Sequence, residues 1–300
     1  MNKMVLLNKI RQLYEESDTN IIQWLRNESG EERNDIADIL ISYDFQAGTY
    51  IQDYYKMKDF RNQYLSRLVS IIDGLGDENK SILECGCGET TILVPLLKLL
   101  NRKFDDVAGI DISWSRIKYG QKFAEENLDG GVSLVVGDMF NLPCADNSFD
   151  IVFTRQAIEP NRGHEKEILA ELYRAANNYV IMIEPAYELA NEEARKRMDE
   201  HGYIQNLYGS AQELGLNVTT WELYGINEVE LNPVGLMIIE KGKGTTGKAG
   251  WSCPITKTEL KTVGGCMYSE ESLLAYPIIN GVPMLTKENA IVATKMMEFK

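Results

Sequence analysis

Ser81-Ile82-Leu83-Glu84-Cys85-Gly86-Cys87-Gly88 decides how this chain folds. A short apolar run is cut off by a glycine, which reads as a buried strand entering a tight turn. Glycines at 86 and 88 let a ligand lie against the backbone, where a side chain would block it. From this point strands alternate with helices. Apolar runs at 107–110, 132–136, 151–153 and 179–183 read as strands, and 90–100, 114–127 and 165–176 as helices. That alternation predicts a parallel sheet wrapped on both faces. Runs at 218–223 and 234–239 then close the sheet as a hairpin-like pair, and 186–195, rich in Glu and Ala, reads as a surface helix.

Outward from this core the texture changes on both sides. Residues 1–75 read as helical, with spaced apolar positions at Ile10, Leu13 and Tyr14, again at Ile21, Ile22, Trp24 and Leu25, and from Tyr64 to Ile72. Glycines and polar residues over 242–250 read as a linker. In the last 50 residues, 251–300, Asn280-Gly281 between apolar runs signals a hairpin. The expected architecture is α/β: a doubly wound Rossmann-like sheet on residues 76–241, an N-terminal helical segment, and a small C-terminal α+β module.

Composition narrows the function classes. The net charge is −14, and residues 241–300 are +3, so the other 240 residues carry −17. Without a dense Lys/Arg run, such a surface repels a phosphate backbone, and nucleic acid is disfavoured as substrate. No apolar run approaches the ~20 residues of a membrane span, and the apolar stretch at the N-terminus is too short for a signal peptide. Five cysteines, an odd number, argue for reduced thiols and a cytoplasmic protein.

The glycine turn alone is a weak signal; its spacing to later carboxylates strengthens it. A dinucleotide fingerprint needs a third glycine, and that position is Thr91. Asp111 follows Glu84 by 27 residues, at the end of the second strand, where a carboxylate accepts both hydroxyls of a ribose. Asp138 follows after another 27, where it can accept from an adenine amino group while Met139 packs on the ring. Leu142-Pro143 and Asn147-Ser148-Phe149-Asp150-Ile151-Val152 complete the set.

Together these residues resemble the class I S-adenosylmethionine methyltransferase family over roughly 60–240. The resemblance implies S-adenosyl-L-methionine as cofactor. Glu84, Gly86 and Gly88 would lie around its methionine part and ribose, Asp111 on the ribose hydroxyls and Ile112 against the adenine. Asp138 and Met139 would hold the adenine edge, with Arg155 beside the methionine moiety. Methyl transfer from a sulfonium needs alignment and desolvation, and an oxygen or nitrogen acceptor of high pKa also needs a base. Glu159 and His164 are the catalytic candidates, with Glu184 at the end of the fifth strand. The aromatic segment 42–55, including Tyr50 and Tyr54, is expected to form a lid. The expected acceptor is a small molecule, a sugar or other biosynthetic metabolite. The alternatives are an RNA or protein methyltransferase and a non-catalytic cofactor-binding protein.

Cys253-Pro254-Ile255-Thr256, Cys266-Met267-Tyr268-Ser269 and Tyr276-Pro277-Ile278-Ile279-Asn280-Gly281-Val282-Pro283 resemble the zinc-ribbon family that includes an activator of tRNA and protein methyltransferases. Its zinc-binding form has two C-x-x-C pairs, and Thr256 and Ser269 replace the second cysteine of each. The resemblance implies a module that masks an apolar surface of the catalytic domain or mediates a homodimer. Two thiolates make a poor structural zinc site, so elemental analysis of the purified protein should find no stoichiometric zinc. One zinc per chain would overturn this.

Overall fold

The computed structural model describes residues 3–16, 20–29, 34, 36–242 and 247–299; residues 243–246 of the expected linker lie outside the described residues. Five helices precede the sheet among the described residues: α1 (Lys3–Glu16), α2 (Ile21–Ser29), α3 (Ile36–Phe45), α4 (Thr49–Lys56) and α5 (Lys58–Asp73). The alternating region follows as β1 (Ser81–Cys85), α6 (Leu93–Leu99), β2 (Asp106–Asp111), α7 (Trp114–Asn127), β3 (Ser133–Gly137), β4 (Phe149–Arg155), α8 (Glu165–Ala175) and β5 (Ala176–Pro185). Then come α9 (Glu192–His201), α10 (Leu207–Glu213), β6 (Val218–Leu223) and β7 (Val234–Glu240).

Strand alternation shows why both faces are covered. Ile82, Ile151, Phe153, Ile181 and Ile183 pack with Tyr64, Leu65, Leu68 and Ile72 of α5 and Leu93 and Leu96 of α6. Their neighbours Leu83, Val152, Val180 and Met182 point the other way, onto Ile168, Leu169 and Leu172 of α8 and Ala211 of α10. β1 pairs in parallel with both β2 and β4, and β4 with β5. β7 inserts antiparallel between β5 and β6, as the late hairpin predicted. The crevice therefore opens at the carboxyl ends of β1 and β4, where the strand order reverses.

Two expected helices start late for local reasons. Thr90 adopts φ +56, which an α-helix cannot accommodate, so the helix expected over 90–100 begins at Leu93. The helix expected over 186–195 begins at Glu192. Ala186 still donates to the Pro233 carbonyl at 3.0 Å, and Asn191 Oδ1 accepts from Ala194 N at 2.9 Å as an N-cap.

The C-terminal module differs from an α+β unit. It comprises β8 (Lys261–Val263), β9 (Cys266–Ser269), β10 (Leu274–Ile279), β11 (Val282–Leu285) and β12 (Ile291–Val292) with short 3₁₀ turns, and no α-helix among its described residues. Asn280 and Gly281 both have positive φ, as a two-residue hairpin turn requires. The module joins the main sheet. β11 pairs in parallel with β3 through Met284↔Val136 and Leu285↔Gly137, covering what would otherwise be an open sheet edge. Trp251 Nε1 donates to Ser133 Oγ (2.7 Å), and Lys257 Nζ to the Leu142 carbonyl (2.9 Å). Hydroxyls surround the buried Cys253 Sγ: Tyr276 at 3.3 Å and Ser272 at 3.5 Å. Cys266 turns instead to the Val263 carbonyl at 3.0 Å.

Leu285 is fully buried in the core shared by module and sheet. Leu285→Ala should lower unfolding free energy by about 2–5 kcal/mol in urea titrations. Ile255→Ala, at a half-exposed position of the same module, should change it by less than about 0.5 kcal/mol.

Candidate active site

A cavity of about 350 Å³ lies at the crevice. Glu84, Gly86, Gly88, Asp111, Ile112, Asp138, Met139 and Arg155 all line it, and so does Glu159. Its floor is the glycine turn. Gly86 has φ +74, and a Cβ there would stand 2.3 Å from Ala157 Cβ, so only glycine fits. Gly88 N donates to Asp111 Oδ2 and Ser113 N to Asp111 Oδ1, both at 2.9 Å, which ties the turn after β1 to the end of β2. Burial raises the Asp111 carboxyl, against the pull of Arg116 and these N–H groups. Glu84 is 2% exposed, and its Oε2 has no partner among the described residues. Burial holds the Glu84 carboxyl well above the usual carboxylate range, opposed first by Arg155. Asp138 Oδ1 accepts from Phe140 N at 2.9 Å.

The N-terminal helices close over this floor through carboxylates. Glu89, the residue after Gly88, accepts from Gly48 N (2.8 Å) and Ile51 N (2.9 Å) between α3 and α4. Asp44 accepts from Ser113 Oγ at 2.6 Å and Ser115 N at 3.1 Å at the start of α7. Arg116 donates to the Tyr43 carbonyl and lies over the Tyr50 ring at 4.1 Å. The two lid tyrosines named from sequence part company here. Tyr50 lines the cavity, whereas Tyr54 packs edge-on against Phe123, 5.3 Å between centroids.

The catalytic candidates also separate. Glu159 follows β4 in a loop held by Glu184, which accepts from Ala157 N at 3.1 Å and Ile158 N at 3.3 Å. Glu184 is fully buried under that loop. Glu159 Oε2 is buried without a partner among the described residues, while Asn232 hydrogen-bonds the same carboxyl. Burial pushes Glu159 up to about 7, with Arg155 and Arg197 pulling the other way. His164 lies outside this cavity. Its Nδ1 contacts Glu167 Oε2 at 2.8 Å, and it borders a second, more apolar cavity between α3 and the C-terminal module.

Several lining residues carried no sequence signal. Arg61 of α5 and Arg155 both donate to Glu228, from the loop between β6 and β7, at 2.5 Å each. Arg197 of α9, Tyr203 and Asn232 complete the wall beside Glu159. They come from segments far apart in sequence, and none sits in a recognisable motif. Glu89 and Arg116 were adjacent to the motif and within reach of closer reading.

A family model described as a methyltransferase domain matches residues 76–227, just over half of the chain. The chain belongs to this family. Its doubly wound sheet is Rossmann-like. Norajmaline N-methyltransferase of Rauvolfia serpentina is 33% identical over 111 residues, 37% of this chain and 37% of that protein. Ajmaline N-methyltransferase of the same plant is 32% identical over 106 residues, 35% of each. These matches span little more than a third of either relative's length. A chain in the complex of a Haloferax volcanii methyltransferase activator with a methyltransferase superposes with TM-score 0.51 at 13% identity, covering 66% of this chain and 97% of that one. That likeness concerns the fold alone.

Gly86→Ala should abolish measurable S-adenosylhomocysteine binding by calorimetry, because the added methyl meets Ala157 and φ +74 is strained. An affinity within twofold of wild type would contradict this account of the turn.

Proposed function

We propose that the enzyme methylates a hydroxyl or amine of a small-molecule acceptor, with Glu159 as the base. One observation carries the reading: Glu159, whose buried Oε2 has no partner among the described residues, lines the cavity shared with the glycine turn. Both Rauvolfia relatives are N-methyltransferases named for small molecules, which supports this substrate class. The charge of −17 outside the C-terminal 60 residues stands against nucleic acid.

The residues at the turn fit the cofactor. In this reading Asp111 takes the ribose hydroxyls, Ile112 and Met139 flank the adenine, and Asp138 holds its edge. Glu84 lies by the methionine part, where its unpartnered oxygen suits an ammonium, and Arg155 is beside it. Bound there, S-adenosylmethionine supplies a methyl group on a cationic sulfur. The protein's own part is alignment, exclusion of water by the α3–α4 lid, and removal of the acceptor's proton. Glu159 accepts that proton at Oε2 while Asn232 orients its carboxyl. His164, turned away from this cavity, has no part in the step as we read it. The C-terminal module acts within the same chain as cover for the β3 edge, the first of the two roles its resemblance implies.

The acceptor is sought by S-adenosylhomocysteine release across a panel of phenols, alcohols, amines and hydroxy acids. A base must be ionised to work, so kcat/KM should rise with pH through about 7 and then level. Glu159→Gln should lower kcat by about 10²–10⁴-fold and remove that ascending limb, whereas His164→Gln should leave both unchanged. Methylation of tRNA or of a protein extract with no small molecule accepted would overturn the reading.

A further inference from the structure

The charges around the cavity are segregated, and the two ends differ in sign. At the glycine turn stand Glu84, Glu89, Asp111 and Asp138 with Arg116 beside them, an acidic set matched to a sulfonium ligand. Around Glu159 stand Arg61, Arg155 and Arg197, with Glu228 as the carboxylate partner of the first two. Both Arg61 and Arg155 direct N–H groups at that single carboxylate, at 2.5 Å each. One negative charge therefore serves two guanidiniums, and Arg197 has no carboxylate in an ion pair among the described residues.

Hydrogen-bonding capacity is left over in the same place. Arg61 Nε, Arg155 Nε and Arg197 Nη1 are all buried without partners among the described residues. The Arg61 and Arg155 side chains are only 6% and 8% exposed. Buried N–H groups of a cation are seldom left unmatched in a finished site, so their presence points to a ligand. The unpartnered acceptors nearby are Asn232 Oδ1 and Glu159 Oε2.

S-adenosylmethionine brings one carboxylate of its own, and position decides which arginine it meets. Arg155 is felt by Glu84 at the turn and by Glu159, so it stands between the two ends. Arg197 is felt by Glu159 and lies over the Tyr203 ring at 5.9 Å from its centroid. With Arg155 given to the cofactor and Arg61 held in its two-bond pair with Glu228, Arg197 shares only the Glu159 carboxylate, and its buried Nη1 is engaged by no group among the described residues.

Resting on the small-molecule reading above, we infer that the acceptor carries an anionic oxygen group, a carboxylate or phosphate, anchored by Arg197, with its nucleophilic hydroxyl or amine turned to Glu159 and Asn232. A cationic acceptor would place an ammonium among three guanidiniums, and a neutral sugar would bring no anionic oxygen to the buried Arg197 Nη1. Tyr43, Tyr203 and Val229 give the remaining wall an aromatic and apolar character that suits a small ring.

The test uses the full chain loaded with S-adenosylhomocysteine and calorimetry with four probes of one ring size: benzoate, phenyl phosphate, benzyl alcohol and benzylammonium. Benzoate or phenyl phosphate should bind at least tenfold more tightly than benzyl alcohol, and benzylammonium should not bind measurably. The tighter of the two anions assigns the group. Arg197→Gln should weaken the preferred anion at least tenfold while S-adenosylhomocysteine affinity and melting temperature stay as in wild type, and Arg197→Lys should recover part of the loss. The inference falls if neither anion binds, if benzyl alcohol or benzylammonium binds as tightly, or if a folded Arg197→Gln protein keeps wild-type anion affinity. The probe ranking in wild type decides the matter even if the variant does not fold. Loss of anion preference with cofactor binding intact overturns this inference alone; failure of the wild-type chain to bind S-adenosylhomocysteine overturns the reading beneath it as well.

Discussion

Two backbone N–H groups, of Gly88 and Ser113, donate to the single buried carboxylate of Asp111, and most of the site depends on that junction. It joins the turn after β1 to the end of β2. It also places Arg116, on the first turn of α7, beside a negative charge in a dry setting, where the attraction is weakly screened. Arg116 in turn receives Tyr43 and Tyr50, so α3 and α4 lean on the same junction. Glu89 adds a second tie by accepting from the backbone of the lid. The cavity roof and floor are thus connected through carboxylate hydrogen bonds rather than through packing alone.

Sheet topology explains why chemistry gathers where it does. Parallel β1–β2 and β1–β4 pairs send their crossovers to opposite faces, and the carboxyl ends diverge into an open crevice. Ionisable groups placed there lose water, which is why Glu84, Asp111 and Glu159 all titrate above their ordinary values. For Glu159 the shift brings a carboxylate to the range where a base at neutral pH is both ionised and strong enough to take a proton. The C-terminal module serves the same scaffold from its edge. By pairing β11 with β3 it protects the strand whose end carries Asp138 and Met139.

Much of this was legible in the residues themselves. Alternating apolar runs marked the strands because the two faces of a wrapped sheet both need burial, and Glu84, Asp111 and Asp138 mark strand ends by their spacing. The departures were local. Thr90, in a left-handed conformation, and Asn191, as a cap, moved two helix starts that periodicity alone places earlier. Tyr54 belonged to the same aromatic segment as Tyr50, but helical rotation turned it to Phe123 and away from the ligand space.

What the sequence by itself determined is the sheet, its glycine turn and the carboxylates at equal steps, since each depends on residues close together along the chain. Only the tertiary structure decided the other end of the cavity. Arg61 on α5, Arg155 at the end of β4, Arg197 on α9 and Glu228 before β7 meet there from more than 160 residues of separation between the first and last, and no spacing rule connects them. It also put Glu159 on the cavity of the glycine turn and His164 outside it, and joined the last strands to the main sheet. Side-chain direction and an unpaired sheet edge settle both, and neither is a property of local sequence.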